Sequence, residues 1–508
     1  MSRINTNVQS MIAQRVLGQN GLQLGRSLER LSTGLRVNRG KDDPAGLIAS
    51  ENLRSELKSL NAAIGNSERA DQVVNIAEGG LQEVSTLLTE LQGLVTASAS
   101  DAGLSESEKA ANQLQIDSIL QTIDRIASAT SFQGTKLLNG NFDYRVSGVA
   151  AGVTDYRING AKFTGTTLDV DVLVTQSAQQ AGLYMSMGGT AIDLAAATST
   201  FTIEVSGALG TRELTFTSGT TMTSIAAAIN SFKSVTGVEA SVVASGSSNG
   251  IKLATTEYGS SEFVTVKVTK DGGISTTNLG IYNMQAGDFD LINTTRVSTF
   301  AGASNGVTDK GQNVGATING MTAVSSGNKI KVSTDTLDVE LTLATSESQA
   351  LGAVGSSHAL SISGGGANFQ LGGQVDLGGK VSIGIGDINS RKLGSFAEGY
   401  LNSLASGRGN NVVDGDTSQA QKIVNAAVEQ VSSLRGRLGA FQKNTIGATI
   451  RSLGVAVENT SAAESAIRDA DFAAETAGLT RAQILVAAST NVLSLANSSP
   501  QSALQLLG

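Results

Sequence analysis

Apolar residues recur at alternating intervals of three and four positions in two long blocks of the chain, residues 47–99 and 420–441. This spacing puts the apolar side chains on one face of an α-helix and is typical of a coiled-coil seam. A block of about 50 helical residues is roughly 75 Å long, so we predict that the two blocks form an intrachain helical rod. The predicted seam comprises Leu53, Leu57, Leu60, Ile64, Leu81, Val84, Leu88, Leu91, Val424, Val431, Leu434 and Leu438.

The outermost blocks, 4–35 and 456–508, have helical spacing but a weaker pattern. Gly18, Gly21 and Gly25 interrupt the first block, and each interior glycine costs a helix roughly 1 kcal/mol relative to alanine. We expect these helices to be marginal alone and to become ordered when they pack on other copies of the chain. The predicted polymerisation residues are Ile4, Val8, Met11, Leu24, Leu28, Leu31, Leu35, Leu485, Val492, Leu493, Leu504 and Leu507.

Local signals predict where several helices begin. Asp43 followed by Pro44 is a strong helix start, because the aspartate caps free N–H groups and proline fits the first helical position. Residues 105–108 read Ser-Glu-Ser-Glu, which is a capping box. Residues 418–421, with Ser418 and a glutamine three positions later, are a second candidate for the same motif.

The period changes in the middle of the chain, residues 141–390, where apolar and polar residues alternate between turns rich in Ser, Gly and Asn. This pattern is typical of antiparallel β-structure. We predict one short helix at 223–232 and two β-rich subdomains divided near 285–305. Strict alternation is found in 201–205, 263–268, 329–332 and 338–343.

The first and last parts of the chain share one character, so their burial requires the termini to meet. The predicted fold class is therefore α+β and multidomain, with N- and C-terminal helices in a joint coiled-coil rod and an inserted β-rich region of about two subdomains. Spacing alone fits an ordinary helical bundle equally well, and the weak outer blocks favour assembly. The expected segments are 1–44 and 456–508 (two halves of an inner coiled coil), 45–140 and 391–455 (helical rod), 141–300 (outer β-rich subdomain) and 301–390 (β-rich subdomain).

Composition excludes most kinds of active site. The chain contains no Cys and one His, His358, so it has no disulfide, no thiolate site and no zinc site that needs two histidines. We expect His358 to lie on the surface or in a loop. The sequence also offers no phosphate-binding loop, no nucleophile elbow and no paired His–carboxylate site. We therefore predict no enzyme activity, no cofactor and no metal.

The charge and hydropathy of the chain limit its partners. A net charge of −8 argues against nucleic-acid binding and against docking on anionic membranes. No apolar run reaches the ~18 residues of a membrane span, and residues 1–8 lack the apolar core of a cleaved secretory signal. A sugar-binding adhesin displayed on a helical rod is an alternative, although only 4% of the residues are aromatic and no aromatic cluster is visible in 141–390.

The two ends, roughly 1–140 and 385–508, resemble bacterial flagellin. Each motif is weak alone, but their order at both ends of one chain is specific. Residues 212–270 also resemble the insert repeat of flagellins and hook-associated proteins. The terminal motifs are INTN at 4–7, ERLSTGLRVN at 29–38, KDDPAG at 41–46, TSFQG at 130–134 and NVL at 491–493.

The resemblance implies a structural subunit that polymerises into the flagellar filament, an extracellular helical tube for swimming. It implies export by the flagellar type III apparatus without signal cleavage. The expected partners are other copies of the chain, an export chaperone on the C-terminal helices, and the filament cap and hook-junction proteins. A hook–filament junction protein is the alternative within the same ancestry.

The resemblance also implies a face for Toll-like receptor 5, at positions Glu90, Leu94 and Gln115. The family pattern has Arg at the first position and Glu at the third, so this chain reverses one charge and loses another. A reversed charge in a desolvated contact costs several kcal/mol. We therefore predict weak activation of the receptor.

Overall fold

The computed structural model describes residues 6–100, 103–163, 165–245, 248–274, 279–285 and 288–505; within these, the side chains of 244–245, 248, 288–290 and 499–505 are left undescribed. The described helices are α1 (Val8–Thr33), α2 (Pro44–Ser98), α3 (Glu106–Ala129), α4 (Met222–Asn230), α5 (Lys233–Thr236), α6 (Thr345–Gln349), α7 (Thr417–Ala440), α8 (Gly447–Arg468) and α9 (Phe472–Gln505), with 3₁₀ turns at Ala301–Asn305 and Leu401–Leu404 and a π-helical turn at Phe441–Ile446.

The described strands all pair with antiparallel neighbours where their register is defined. They are β1 (Ser131–Phe132), β2 (Thr135–Lys136), β3 (Tyr144–Ser147), β4 (Val153–Ala161), β5 (Leu168–Val170), β6 (Val172–Gln176), β7 (Gly182–Ser186), β8 (Thr200–Gly207), β9 (Gly210–Thr217), β10 (Val238–Ser245), β11 (Ser248–Thr255), β12 (Phe263–Lys270), β13 (Gly280–Gln285), β14 (Asp288–Ser298), β15 (Val307–Lys310), β16 (Gly315–Ile318), β17 (Met321–Thr322), β18 (Val324–Ser326), β19 (Lys329–Ser333), β20 (Leu337–Leu343), β21 (Gly352–Ala353), β22 (Leu360–Gly365), β23 (Ala367–Gln370), β24 (Lys380–Ile383), β25 (Gly394–Ser395) and β26 (Gly399–Tyr400).

The α+β multidomain class is confirmed. The chain divides into two compact units. The helical unit comprises Met1–Gln72, Phe369–Lys380 and Gly439–Gly508, and the mixed unit comprises Val73–Asn368 and Val381–Leu438.

Helix starts follow the predicted capping chemistry at two of three places. Pro44 is the first residue of α2, and Asp43 Oδ1 accepts a 2.9 Å hydrogen bond from the backbone N–H of Gly46. Ser105 and Glu108 form the predicted capping box before α3, and the N–H of Ser105 lowers the pKa of the Glu108 carboxyl.

The second predicted capping box is wrong. Asp416 caps α7 instead, since its Oδ1 accepts hydrogen bonds from the N–H groups of Ser418 (2.9 Å) and Gln419 (3.2 Å). Ser418 therefore lies inside the first turn, where its own N–H is one of the groups that need a cap. An aspartate one position before the helix is as good an N-cap as serine, so the motif at 418–421 was a coincidence of spacing.

The helical unit holds α1, α8, α9 and the N-terminal part of α2. The three glycines do not break α1, which ends at Thr33 and is capped by Gly34 in the left-handed region at φ 72°. Arg468 Nη1 lies 3.3 Å from Glu51 Oε1, and the Gln442 side-chain amide donates a 2.8 Å hydrogen bond to Asp71. The later residue, Arg468, thus contacts the earlier part of α2, and the earlier residue, Gln442, contacts the later part. The two segments therefore run antiparallel.

The mixed unit holds a second antiparallel helix pair. The Gln92 amide donates to Asn425 Oδ1 at 2.9 Å, and Arg435 Nε lies 2.8 Å from Glu78 Oε1, which joins α7 to the C-terminal part of α2. The helix α3 is tied to the segment before α7, because the side chain of Gln113 donates to the carbonyl of Leu404 at 2.9 Å.

Two hydrophobic cores organise the β-structure of the mixed unit. One is built from residues between Ala181 and Ala303 and is enclosed by the sheets β10-β11-β7-β13-β14 and β15-β12-β8-β9 together with α4. The other draws on 144–178 and 314–362 and is enclosed by the sheets β17-β16-β6-β21, β18-β19-β20-β4 and β3-β22-β5. The segment that builds the first core is thus inserted, in sequence, between the two segments that build the second core.

The structure divides the middle differently from the predicted segments. The predicted cut near 300 lies close to the end of the first core, but 144–178 packs with 314–362 because β4 pairs with β20 and β5 with β22. These pairings join residues far apart in sequence, and alternation alone does not specify a partner. Likewise, the predicted boundary at 456 falls inside α8, and the helix ends only at Arg468.

The predicted local elements agree well with the structure. The four alternating runs lie in β8, β12, β19 and β20, and the short helix expected at 223–232 is α4. His358 lies in the loop before β22 and its side chain is 40% exposed.

The terminal helices as a candidate assembly surface

The helices α1 and α9 of the helical unit pack against each other along their length. Residue numbers in α1 rise as those of their partners in α9 fall, so the pair is antiparallel. The polar contacts are Asn7 Nδ2 to the Ala496 carbonyl (2.7 Å), Ser10 Oγ to Asn497 Oδ1 (2.7 Å), Asn20 Nδ2 to Ser489 Oγ (2.7 Å) and Arg30 Nη1 to Glu475 Oε2 (3.7 Å).

Small side chains fill the contact between the two helices. The buried residues are Ser10, Ala13 and Ser27 on α1, and Ala482, Ser489 and Ala496 on α9. Small and hydroxylated residues let two helices approach closely, but they bury little apolar area. At roughly 25 cal/mol per Å² of buried apolar surface, these small residues by themselves contribute little hydrophobic stabilisation within one chain.

Large apolar side chains point away from this contact and into solvent. Met11 is 62% exposed, Leu22 69% and Leu495 71%, so most of each side chain faces solvent. A concentration of exposed large apolar side chains on one helix pair indicates an interaction site. The exposed large apolar residues of the pair are Val8, Met11, Ile12, Val16, Leu22, Leu28, Phe472, Ile484, Leu485, Val492 and Leu495.

The predicted polymerisation residues fall into three groups. Ile4 and Leu507 lie outside the described residues, as does the side chain of Leu504. Leu24, Leu31, Leu35 and Leu493 are half-buried. The exposed ones are Val8, Met11, Leu28, Leu485 and Val492.

Several exposed apolar residues were missed by the sequence prediction. Leu22, Ile484 and Leu495 are among the most exposed large side chains of the pair. None of the three was among the predicted polymerisation residues. A continuous scan for apolar residues around the whole helix, rather than along one stripe, could have found them.

The predicted seam residues lie at the inner faces of their helices. In the mixed unit, Leu81, Val84, Leu88 and Leu91 of α2 and Val424, Val431, Leu434 and Leu438 of α7 are all buried. In the helical unit, Leu60 is buried, whereas Leu53, Leu57 and Ile64 are half-buried. A Cβ at Gly373 would lie 3.2 Å from Leu60 Cδ2, so the 371–379 loop covers this leucine.

The three positions of the expected receptor face lie on two helices of the mixed unit. Glu90 on α2 and Gln115 on α3 are exposed, and Leu94 is half-buried. Leu114, next to Gln115, is 69% exposed. In the described residues, no group of His, Asp and Glu side chains could hold a metal ion, and no helix is long and apolar enough to cross a membrane.

Family models match both helical ends and part of the middle. Residues 4–143 match the bacterial flagellin N-terminal helical region, and residues 421–507 match the bacterial flagellin C-terminal helical region. Residues 200–257 match the flagellin hook IN motif, which agrees with the insert repeat expected at 212–270.

Similar proteins match over nearly the whole length. The flagellin of Salmonella typhimurium is 29% identical over 526 residues, and flagellin B of Vibrio cholerae is 27% identical over 506, each match covering 99% of both chains. Among solved structures, FliC of Burkholderia pseudomallei is 14% identical and covers 74% of this chain and 99% of its own, with a TM-score of 0.23. The hook-associated protein 3 of Legionella pneumophila is 10% identical, with coverages of 81% and 97% and a TM-score of 0.28.

The paired helical termini and the sequence matches define a structural protein of the bacterial flagellum. The chain belongs to the bacterial flagellin family. It is a structural subunit of the flagellar filament, which lies outside the cell.

Proposed function

We propose that the chain polymerises through the apolar surfaces of α1 and α9. The observation that carries this proposal is the exposure of large apolar side chains on the outer side of both helices, whose mutual contact fully buries only small residues. Other copies of the chain are the natural occupants of that outer side. A head-to-tail contact that does not close on itself generates a helical fibre, which serves swimming motility.

The energetics favour order in the filament and weakness in the monomer. Burying a large apolar side chain contributes roughly 1.5–3 kcal/mol, and ordering one residue costs roughly 1–2 kcal/mol of backbone entropy. Within one chain, the small residues of the α1–α9 contact offset little of that cost. In a filament, each subunit would bury these exposed side chains against its neighbours, and the free energy of that burial would offset the cost of ordering the helices.

Marginal terminal helices also suit export. We propose that the chain leaves the cell through the flagellar type III apparatus without a cleaved signal, since a weakly stable helix pair unfolds readily to thread a narrow channel. An export chaperone would cover the apolar face of α9 before export, and the filament cap and hook-junction proteins would meet the same surfaces during assembly. The predicted segments 1–44, 45–140, 391–455 and 456–508 would then be the inner and outer shells of the tube.

We further propose a weak interaction with Toll-like receptor 5. Glu90 and Gln115 are exposed and so are available to a receptor. The family pattern has a cation at the first position and an anion at the third, whereas this chain has an anion at the first position and a neutral amide at the third.

The role proposed for the chain is structural and not enzymatic. The two alternatives, a junction protein and an adhesin, would not form long filaments efficiently by themselves.

Polymerisation of the purified chain tests the proposal. The unsubstituted full-length monomer should form long filaments after addition of a precipitating salt, as seen by negative-stain electron microscopy. Only short or amorphous aggregates would favour the junction or adhesin alternatives.

A further inference from the structure

A cavity of about 340 Å³ in the mixed unit has an aromatic rim. It opens between β4, the 386–396 segment and α7. Tyr144, Tyr156, Phe396 and Tyr400 line it, so three of the six tyrosines of an aromatic-poor chain meet at one place. Tyr156 and Phe396 are 42% and 65% exposed, which leaves their rings accessible at the mouth. The rim is assembled from residues far apart in sequence and was therefore invisible to the search for an aromatic cluster.

A desolvated cation lies at the wall of this cavity. The Nε and Nη1 atoms of Arg437 are buried and have no hydrogen-bond partner among the residues that the structure describes. Burial, and next the charge of Arg157, lower the pKa of the Arg437 guanidinium to about 10, so it stays charged at neutral pH. The charges of Asp338, Glu340 and Asp143 favour the charged form of Arg437, but N–H donors that are buried without an acceptor remain costly. A bound anion that accepts from these donors would relieve that cost.

A carboxylate that makes no direct ion pair with a described residue lines the same cavity. Asp143 Oδ1 accepts a 2.8 Å hydrogen bond from the backbone N–H of Tyr144, its neighbour. Burial raises the pKa of the Asp143 carboxyl, and the charges of Lys392 and Arg437 partly oppose that rise. Arg437 and Asp143 therefore feel each other's charge, yet no ion pair of 4.0 Å or shorter joins them in the described part of the chain.

Opposite charges that share a desolvated wall normally close into a direct pair, because each alone loses its hydration. Here no direct ion pair joins the two in the described part of the chain, and both line a cavity that also has aromatic side chains in its wall. We propose that this cavity binds a small zwitterion with an apolar body, of the class of free aromatic or large aliphatic amino acids. Its carboxylate would pair with Arg437, its ammonium group with Asp143, and its side chain would pack on Tyr156, Phe396 and Tyr400.

Matched probes test each part of the recognition. L-Phenylalanine is titrated into the full-length chain by isothermal calorimetry, beside 3-phenylpropionate, which lacks the ammonium group, and 2-phenylethylamine, which lacks the carboxylate. We expect L-phenylalanine to bind at least ten-fold more tightly than either. Equal affinity for 3-phenylpropionate would reduce the cavity to a plain anion site and overturn the proposal, as would the absence of binding for all three probes.

Substitutions locate the binding. Arg437→Gln and Asp143→Asn should each weaken L-phenylalanine at least ten-fold. Lys422→Gln removes the same charge from an exposed position of the same helix, α7, and should leave the affinity unchanged. Circular dichroism shows whether each variant is folded, and the probe comparison on the unsubstituted chain stands even if Arg437→Gln is not. Undiminished affinity in folded Asp143→Asn and Arg437→Gln would contradict the assignment.

Discussion

The side-chain amide of Asn20 donates a 2.7 Å hydrogen bond to the hydroxyl of Ser489, and so joins two residues that lie 469 positions apart. Ser489 also donates to the carbonyl of Leu485, one turn earlier in α9. The bond is typical of the whole α1–α9 contact, in which polar and small residues define how the helices meet. An exposed or half-buried hydrogen bond contributes about 1 kcal/mol, so these contacts specify register more than they stabilise the pair.

Charges on the outer side of α9 should therefore block assembly without unfolding the monomer. Ile484 and Val492 are 63% and 57% exposed. We expect Ile484→Glu and Val492→Glu to abolish salt-induced filaments, since a carboxylate would be buried in the subunit contact, while the monomer's free energy of unfolding changes by only about 0.5 kcal/mol. Filament formation is followed by light scattering and the monomer by urea unfolding.

Ser494→Glu is the matched control for these two variants. Ser494 is exposed and lies two residues after Val492, about 200° around the helix. It should polymerise nearly as well as the unsubstituted chain. Normal filaments from Val492→Glu, or loss of filaments in Ser494→Glu alone, would mean that the assembly surface lies elsewhere on α9.

The N-terminal cap of α7 distinguishes two adjacent polar residues. Asp416→Ala should reduce the free energy of unfolding by about 0.5–2 kcal/mol, because two N–H groups lose their acceptor. Ser418→Ala should cost less than about 0.5 kcal/mol. Urea unfolding at neutral pH compares them, and a larger cost for Ser418→Ala would restore the capping box that the sequence suggested.

His358 should titrate at a higher pH than an ordinary histidine. Its Nδ1 lies 2.6 Å from Asp171 Oδ1, and that hydrogen bond, with the charge of Asp169 adding to it, raises the pKa of His358 above its usual 6.5. A raised pKa in the folded state means that the stabilisation is fully present below the unfolded pKa and is lost as pH rises through the folded pKa.

NMR measures this pKa directly, because the chain contains one histidine and its ring signals need no further assignment. The midpoint should lie above 6.5 in the unsubstituted chain and fall in Asp171→Asn. A midpoint at or below 6.5 in both proteins would show that the Asp171 contact does not persist in solution.

At the receptor face, we predict substitutions that increase activation of Toll-like receptor 5 rather than reduce it. The double variant Glu90→Arg with Gln115→Glu restores the family's charges and should activate a Toll-like receptor 5 reporter cell at a concentration about ten-fold lower or less. Glu68→Arg, at another exposed position of α2, should not change the response. A response of the unsubstituted chain that already equals a strong agonist flagellin would refute the prediction of weakness.

Sequence patterns predicted local features well and distant pairings poorly. The capping box at Ser105 and the helix start at Pro44 depend on neighbours within one turn, so the sequence contains most of the signal. The equally local motif at Ser418 misled because Asp416 was the better-placed cap. The pairing of β4 with β20 depends on which strand arrives beside it, and many alternating strands offer similar faces. The aromatic cavity likewise forms only when residues near 144 and 400 come together.

The polymerisation residues were predicted less well than the local features and better than the distant pairings. Helical spacing identified Met11 and Val492, which are exposed. It did not indicate that the intrachain contact would be made by Ser10 and Ala482, because small residues carry almost no hydropathy signal. Which side of a weak amphipathic helix faces its own chain depends on packing that spacing alone does not encode.

The central claim is that the terminal helices assemble the filament and are dispensable for the fold of the rest. Chains that lack 1–40 or 460–508 are compared with the full-length chain by circular dichroism and by negative-stain electron microscopy after salt-induced polymerisation. Each truncated chain should remain a soluble, folded monomer that forms no filaments, whereas the full-length chain should form long ones. Filaments from either truncated chain would contradict the account.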